Sequence, residues 1–189
     1  MVLQKEQIIT TALELLDRNG LQQLTIRRLA EALKVQPGAL YWHFENKQAL
    51  LNGMSEEILK DLGVNILDES MSQWDERLKC EMITLRKALL KYRDGAAVVI
   101  ATRPSNIEAY NRLSASLIES LVRAGFTREQ AVVVGGNTLI YTIGLVLMER
   151  SPINSEGDRE QGALSPDMRI FFQEGLQLFI DGAKQKVAH

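Results

Sequence analysis

Apolar residues recur at helical steps through most of this chain. Between Lys5 and Asn19, Ile8, Ile9, Ala12, Leu13, Leu15 and Leu16 fall three and four apart, which puts them on one helical stripe. Gly20 follows, where a glycine ends a helix. Thr25 suits the N-cap of a second helix, Ile26 to Leu33, with Leu29, Ala30 and Leu33 facing inward. Lys34-Val35-Gln36-Pro37-Gly38 reads as a short turn. A very short third helix is expected over Ala39 to Phe44, its Leu40 and Phe44 facing inward together. Glu45-Asn46 breaks it, and Asn46 can cap a fourth helix from Lys47 to roughly Leu62.

The second half is helical too. Trp74 to Lys91 carries Leu78, Met82, Leu85 and Leu89 on one stripe. Tyr92 to Gly95 is a break, and Ala96 to Thr102 is a short apolar helix or turn ended by Arg103-Pro104. Ile107 to Ala124 forms a helix capped by Gly125, and Thr127 begins a long apolar one. Ser151 to Ser165 is polar and glycine-bearing and reads as a mobile surface loop. Pro166 opens a last helix in which Met168, Phe172, Phe179 and Ala183 keep helical steps. No strand-like alternation interrupts this series, so the expected fold class is all-α.

The run from Ala131 to Met148 has no charge over 18 residues, at the lower edge of a membrane span. It also holds Gly135, Gly136, Asn137, Thr138, Tyr141, Thr142 and Gly144, and charges close both ends. A helix apolar on all sides must be buried, and a helical core or subunit interface is the expected burial rather than a membrane. The last two long helices are too apolar for one small domain to cover. Gly135-Gly136, Gly144 and Gly175 permit close helix approach, so pairing with their copies as a four-helix dimer interface is expected.

Composition narrows the chemistry. The chain has 189 residues, 22 Lys+Arg against 24 Asp+Glu, and a net charge of −2. Cys80 is its single cysteine, which excludes an internal disulfide framework and a Cys-rich metal cluster. His43 and His189 leave little for a histidine-based metal or catalytic site. There is no HExxH, no glycine-rich phosphate loop and no Ser-His-Asp set, so no catalytic, metal or cofactor residues are expected. MVLQKEQ lacks the apolar core of a signal peptide, which points to a cytoplasmic protein.

Three short helices in about 45 residues, the last two joined by a tight turn, have the layout of a helix-turn-helix, though a plain three-helix bundle shares it. The window Arg18 to Asn52 holds five basic residues (Arg18, Arg27, Arg28, Lys34, Lys47) against Glu31 and Glu45. A locally basic surface on an acidic chain suits phosphate contact by one region. Tyr41, Trp42 and His43 cannot all be buried beside Leu40 and Phe44. Their polar tips can reach phosphate oxygens or base edges in a major groove. Alternatively, Tyr41 and Trp42 pack on the fourth helix.

Residues 25–51, TIRRLAEALKVQPGALYWHFENKQALL, resemble the DNA-binding helix-turn-helix of the TetR family of bacterial transcriptional repressors. The run Gly38-Ala39-Leu40-Tyr41, then His43-Phe44, then Lys47 and Leu50, follows that family's pattern at its spacing. Leu89 to Pro104 and Ala124 to Leu147 are similar to the ligand domain of the tetracycline-repressor type. The resemblance implies a DNA-binding domain over 1–47, a connecting helix over 48–66 and a ligand-binding and dimerisation domain over 67–189. It implies operator contacts at Thr25 and Arg27, at Gly38, Ala39, Tyr41, Trp42 and His43, and at Lys47 on the backbone. The threonine that follows Gln-Pro in that type is replaced by Gly38, which leaves Arg27 as the best bidentate base reader.

Drug-binding members of that type hold magnesium with a His and a Glu. Those positions carry Val99 and Met148 here, and neither can ligate a hard cation. Drug-contacting Asn and Gln positions carry Glu81 and Leu117, and another His falls near Gly63. The resemblance therefore implies the architecture without that ligand. Trp74, Leu78, Met82, Leu85, Val99, Leu117, Tyr141 and Met148 are candidate walls of an effector pocket, unless they simply fill the core. Thr102, Arg103 and Asn137 are candidate polar tips, and Glu81 would favour a cationic group. The expected activity is that of a homodimeric, effector-responsive repressor on a palindromic duplex operator, released by a small, largely apolar molecule. The rivals are an enzyme with a helical head and a helical adaptor that turns Tyr41-Trp42 toward a protein.

Overall fold

A computed structural model describes residues 3–63, 73–102, 106–150 and 167–187. Among these it contains nine α-helices and no strand. They are α1 (Lys5–Asn19), α2 (Ile26–Leu33), α3 (Pro37–Tyr41), α4 (Lys47–Leu59), α5 (Trp74–Leu90), α6 (Gly95–Ala101), α7 (Glu108–Arg123), α8 (Arg128–Glu149) and α9 (Met168–Val187). The expected loop from Ser151 to Ser165, Pro166 and Arg103 lie outside the described residues.

The chain divides into two compact units, residues 1–60 with 88–110 and residues 61–87 with 111–189. In the first, α1 packs on α2 and α4, α2 on α3, and α4 on α6. Ile8, Ala12, Leu13 and Leu16 of α1 are buried with Leu24, Leu29, Ala30, Leu40, Phe44, Leu50 and Met54. Each large side chain among them that leaves water contributes about 1.5–3 kcal/mol. Ile9 and Leu15, expected on the same stripe, are half-buried at its edges.

Local chemistry sets the boundaries. α1 ends at Gly20, whose φ of 77° and ψ of 167° lie where a side chain would be strained. The Thr25 hydroxyl accepts the Arg28 N–H at 3.2 Å and starts α2. Asn46 Oδ1 accepts the Ala49 N–H at 2.9 Å and starts α4. α4 ends at Leu59 rather than near Leu62, with a turn running on to Gly63.

The third helix begins and ends earlier than its apolar pattern predicts, at Pro37 and Tyr41 instead of Ala39 and Phe44. Proline costs nothing in a first helical turn, where its missing N–H would find no partner anyway. Asn46 must be extended to cap α4 (φ −157°, ψ 176°), so the chain has to uncoil before reaching it. The N–H groups of His43 and Phe44 still bond to Leu40 O, at 3.0 and 2.9 Å, and keep Phe44 buried.

The second unit holds most of α5 and α7 with α8 and α9, and α8 packs on α9. Leu78, Met82 and Leu85 are buried with Leu113, Leu117, Leu121, Leu139 and Val146. Thr127 and Gln130 cap α8 reciprocally, Thr127 Oγ1 accepting at 3.2 Å and Gln130 Oε1 at 2.9 Å. α8 is long and apolar enough to cross a membrane by length and composition. Its Thr138 and Thr142 are buried, however, with hydroxyls bonded to carbonyls of the same helix. On α9 the buried stripe is Phe172, Leu176, Ile180 and Ala183, while Phe179 stands partly in solvent. Ile140 and Met148 of α8 and Ile170, Phe171 and Leu178 of α9 are exposed. Of the glycines expected at close approaches, Gly175 is the tight one, since a Cβ there would overlap the Tyr141 hydroxyl. Gly135 has ordinary room, and Gly136 and Gly144 meet nothing within 4 Å.

Candidate nucleic-acid interface and effector region

The head presents its candidate contacts on the start of α2, on α3 and on the start of α4. Thr25, Arg27, Gly38, Tyr41, Trp42 and Lys47 are exposed or nearly so, Ala39 and His43 less. Trp42 is 90% exposed and Tyr41 55%, while Leu40 beside them is 1% exposed. An indole left in water forgoes roughly 2–3 kcal/mol of burial, so the position makes sense when something else covers it. Neither aromatic is buried against the fourth helix. Lys34 closes α2 in the left-handed region at φ 56°, its N–H reaching Ala30 and Glu31 carbonyls. That tight turn sets the angle between α2 and α3.

The same unit ties the head to the α5–α6 corner. Asp17 Oδ1 accepts the Arg93 N–H at 2.7 Å, and Asp94 Oδ2 accepts the Leu21 N–H at 2.7 Å. Two carboxylates, one from each side, satisfy backbone donors on the other. A Cβ at Gly20 would stand 3.1 Å from Asp94 Oδ2, a second reason for glycine there.

The candidate effector residues are divided between the units. Val99 and Thr102 lie in the first, both buried, with Thr102 Oγ1 donating to Val99 O at 2.6 Å. Leu78, Met82, Leu85 and Leu117 line the inside of the second. Trp74 packs edge-to-face on Phe126, centroids 5.0 Å apart, against a cluster of Leu121, Ala131 and Ala183. Tyr141 donates its hydroxyl to Phe171 O at 3.0 Å and stacks on Phe172. Asn137 donates its amide to Val133 O at 2.7 Å within α8. Met148 is 60% exposed. Glu81 is half-buried; burial pushes its carboxyl above the usual carboxylate range, against the opposing pull of Arg77 and the Gly63 N–H.

Sequence reasoning passes over two features here. Arg86 grips Glu149 with Nη2 at 2.9 and 2.7 Å from its two oxygens, and its guanidinium sits 5.4 Å over the Phe172 ring. Arg86 lies four residues after Met82 on a buried stripe, and a cation where an apolar residue is expected is the signal that could have found it. The second is an open recess of about 450 Å³, lined by Trp74, Asp75, Arg77, Ser120, Arg123 and Lys184 among others. Trp74 is the one effector candidate in its wall.

Comparison with known proteins covers nearly the whole chain. The sequence profile described as "Bacterial regulatory proteins, tetR family" matches residues 8–54, and "Tetracyclin repressor-like, C-terminal domain" matches residues 68–169. The class A tetracycline repressor protein from transposon 1721 of Escherichia coli is 34% identical over 97% of this chain and 92% of its own. A single-residue variant of TetR from Acinetobacter baumannii AYE, solved in complex with minocycline, superposes with a TM-score of 0.82 at 36% identity, covering 98% of both chains. BioQ with its double-stranded DNA operator gives a TM-score of 0.75 at 31% identity, covering 99% of both chains.

Proposed function

The chain belongs to the TetR family of bacterial regulatory proteins, and from that premise we propose how this member works. It is a ligand-responsive transcriptional repressor that binds double-stranded DNA as a homodimer. The head reads a palindromic operator through Arg27 and the Tyr41-Trp42-His43 row, with Thr25 meeting phosphate or base beside Arg27, Gly38 and Ala39 opening the recognition helix, and Lys47 holding the phosphate backbone. The observation that carries this is the outward Tyr41-Trp42 pair on a helix whose Leu40 is fully buried. A recognition helix shows that asymmetry; a bundle helix covers its aromatics.

Two recognition helices must stand about 34 Å apart to enter successive major grooves, so dimerisation belongs to the function. The exposed apolar residues of α8 and α9 suit that interface. DNA as partner sets the cytoplasm as the site of action, and regulation without catalysis as the activity.

The effector is a small, largely apolar molecule, supported by the predominance of Leu78, Met82, Leu85 and Leu117 in the second unit over polar candidates. The resemblance puts Val99 and Met148 at the positions of the metal ligands in drug-binding members, which favours an effector other than a magnesium-chelated drug. Glu81 offers it one acceptor. Binding shifts the helix that joins head to body, through different affinity for the two arrangements.

Mobility shifts of selected operator DNA test this. Tyr41→Ala is expected to lose the specific complex and Arg27→Ala to weaken it, both while sedimenting as dimers; unchanged shifts from both would refute the assigned surface. A protein adaptor that used Tyr41-Trp42 would bind its partner with little dependence on salt, whereas operator affinity falls steeply with it.

A further inference from the structure

One face of α4 is occupied by polar side chains that reach the helices following the α5–α6 corner. Gln48, Asn52 and Glu56 are four apart, so they stack along one side of α4. Gln48 Nε2 donates to Asn52 Oδ1 at 3.2 Å and to Ala101 O at 3.1 Å. Ala101 is the last residue of α6, and its carbonyl has no partner within that helix. At the other end of the row, Glu56 Oε2 accepts the Ala109 N–H at 3.0 Å and Oε1 accepts the Glu108 N–H. These are the first two residues of α7. A single helix face therefore supplies a donor to the end of α6 and a carboxylate to the start of α7. Each matches the partial charge of the terminus it meets.

We propose that Glu56 is a positioning residue for operator binding: by capping α7 it fixes α4, and with it the recognition helix that α4 follows. The inference rests on the DNA-binding reading above. Few residues separate Tyr41 at the end of α3 from Lys47 at the start of α4, and Phe44 between them is buried in the same core as Leu50. A shift of α4 must therefore move α3. Beside Glu56, Ser55 is fully buried, and its hydroxyl has no hydrogen-bond partner among the described residues. The Glu56 carboxylate is thus the polar group on this stretch of α4 that reaches the start of α7.

The test uses the full-length protein and an operator duplex selected from random sequence. Operator affinity is measured for wild type, Glu56→Ala, Glu56→Gln and Gln48→Ala, and amide exchange is followed over residues 107–110 with and without duplex. Coupling is reciprocal, so operator binding is expected to raise wild-type protection there. Glu56→Ala is expected to weaken operator affinity about fivefold or more and to lose the response of residues 107–110 to DNA, with α8 amides still protected. Glu56→Gln keeps one strong acceptor and should fall between. Wild-type affinity in Glu56→Ala with an intact exchange response overturns the proposal. So does a parallel loss of α8 protection in all three variants, which would reduce these residues to general stabilisation. If wild type binds no duplex at all, the DNA-binding reading itself fails.

Discussion

The carboxylate of Asp94 accepts a 2.7 Å hydrogen bond from the backbone N–H of Leu21, 73 residues away in sequence. Its counterpart runs the other way, from the Arg93 N–H to Asp17. Asp94→Ala leaves the partly buried Leu21 donor without its partner, which costs about 1–3 kcal/mol. Chemical denaturation is expected to show a lower midpoint for Asp94→Ala and a smaller loss for Asp94→Asn, which keeps an acceptor oxygen. Equal midpoints for all three proteins would remove the clamp from the account.

Glu81 makes a prediction of opposite sign. Burial raises its folded pKa above the unfolded value, so the ionised form is penalised at neutral pH. Glu81→Gln should melt slightly higher than wild type at pH 7, by about 1–2 °C. That advantage should shrink as pH falls through the raised carboxyl value and wild-type Glu81 takes up its proton. A lower melting temperature for the variant at every pH would mean that the charge is stabilising.

The Asp75–Lys184 pair titrates in the usual direction. A hydrogen bond from Lys184 at 2.5 Å holds the Asp75 carboxyl below its ordinary range, outweighing desolvation. The same hydrogen bond raises Lys184. Asp75 therefore contributes stability above its unfolded pKa of about 4, and loses it as pH falls through the depressed folded value. Lys184 contributes below about 10.4 and loses it as pH rises through the raised folded value. The stability difference between wild type and Lys184→Met should be flat from about pH 6 to 9 and close toward pH 2. A difference that persists unchanged at pH 2 would assign it to packing.

Lys47 and Arg27 should fail differently. Lys47→Ala is expected to weaken binding to all sequences alike and to reduce the slope of log affinity against log salt by about 1. Arg27→Ala should cost about 1–3 kcal/mol on the operator and relax preference at one base position. Identical salt slopes and identical base preferences for both variants would contradict the division of roles.

The helices are legible in the sequence because caps and periodicity agree: Gly20, Thr25, Asn46 and Thr127 each stand where the structure uses them. The bounds of the short α3 are not, because its apolar pair, Leu40 and Phe44, spans both helix and turn, and periodicity cannot separate the two. The outward Tyr41-Trp42 pair can be read because Leu40 and Phe44 already fill the inner face. The α9 stripe slips because α9 is apolar on several sides and a single chain buries one of them. Asp17, Asp94 and Glu56 give no local signal, since each partner is dozens of residues away and is a backbone group of no particular residue type; Gln48 has a local partner in Asn52, but its bond to the Ala101 carbonyl is equally distant.

The central claim is that two copies of the head, held at a fixed separation, read two equivalent half-sites. Selection of bound duplexes from a random pool tests it most directly. The account predicts enrichment of a palindrome whose half-site centres lie one helical turn apart, about 34–36 Å, bound by a dimer and lost with Tyr41→Ala. Enrichment of a single unpaired half-site, or of the same sequences by Tyr41→Ala, would contradict it.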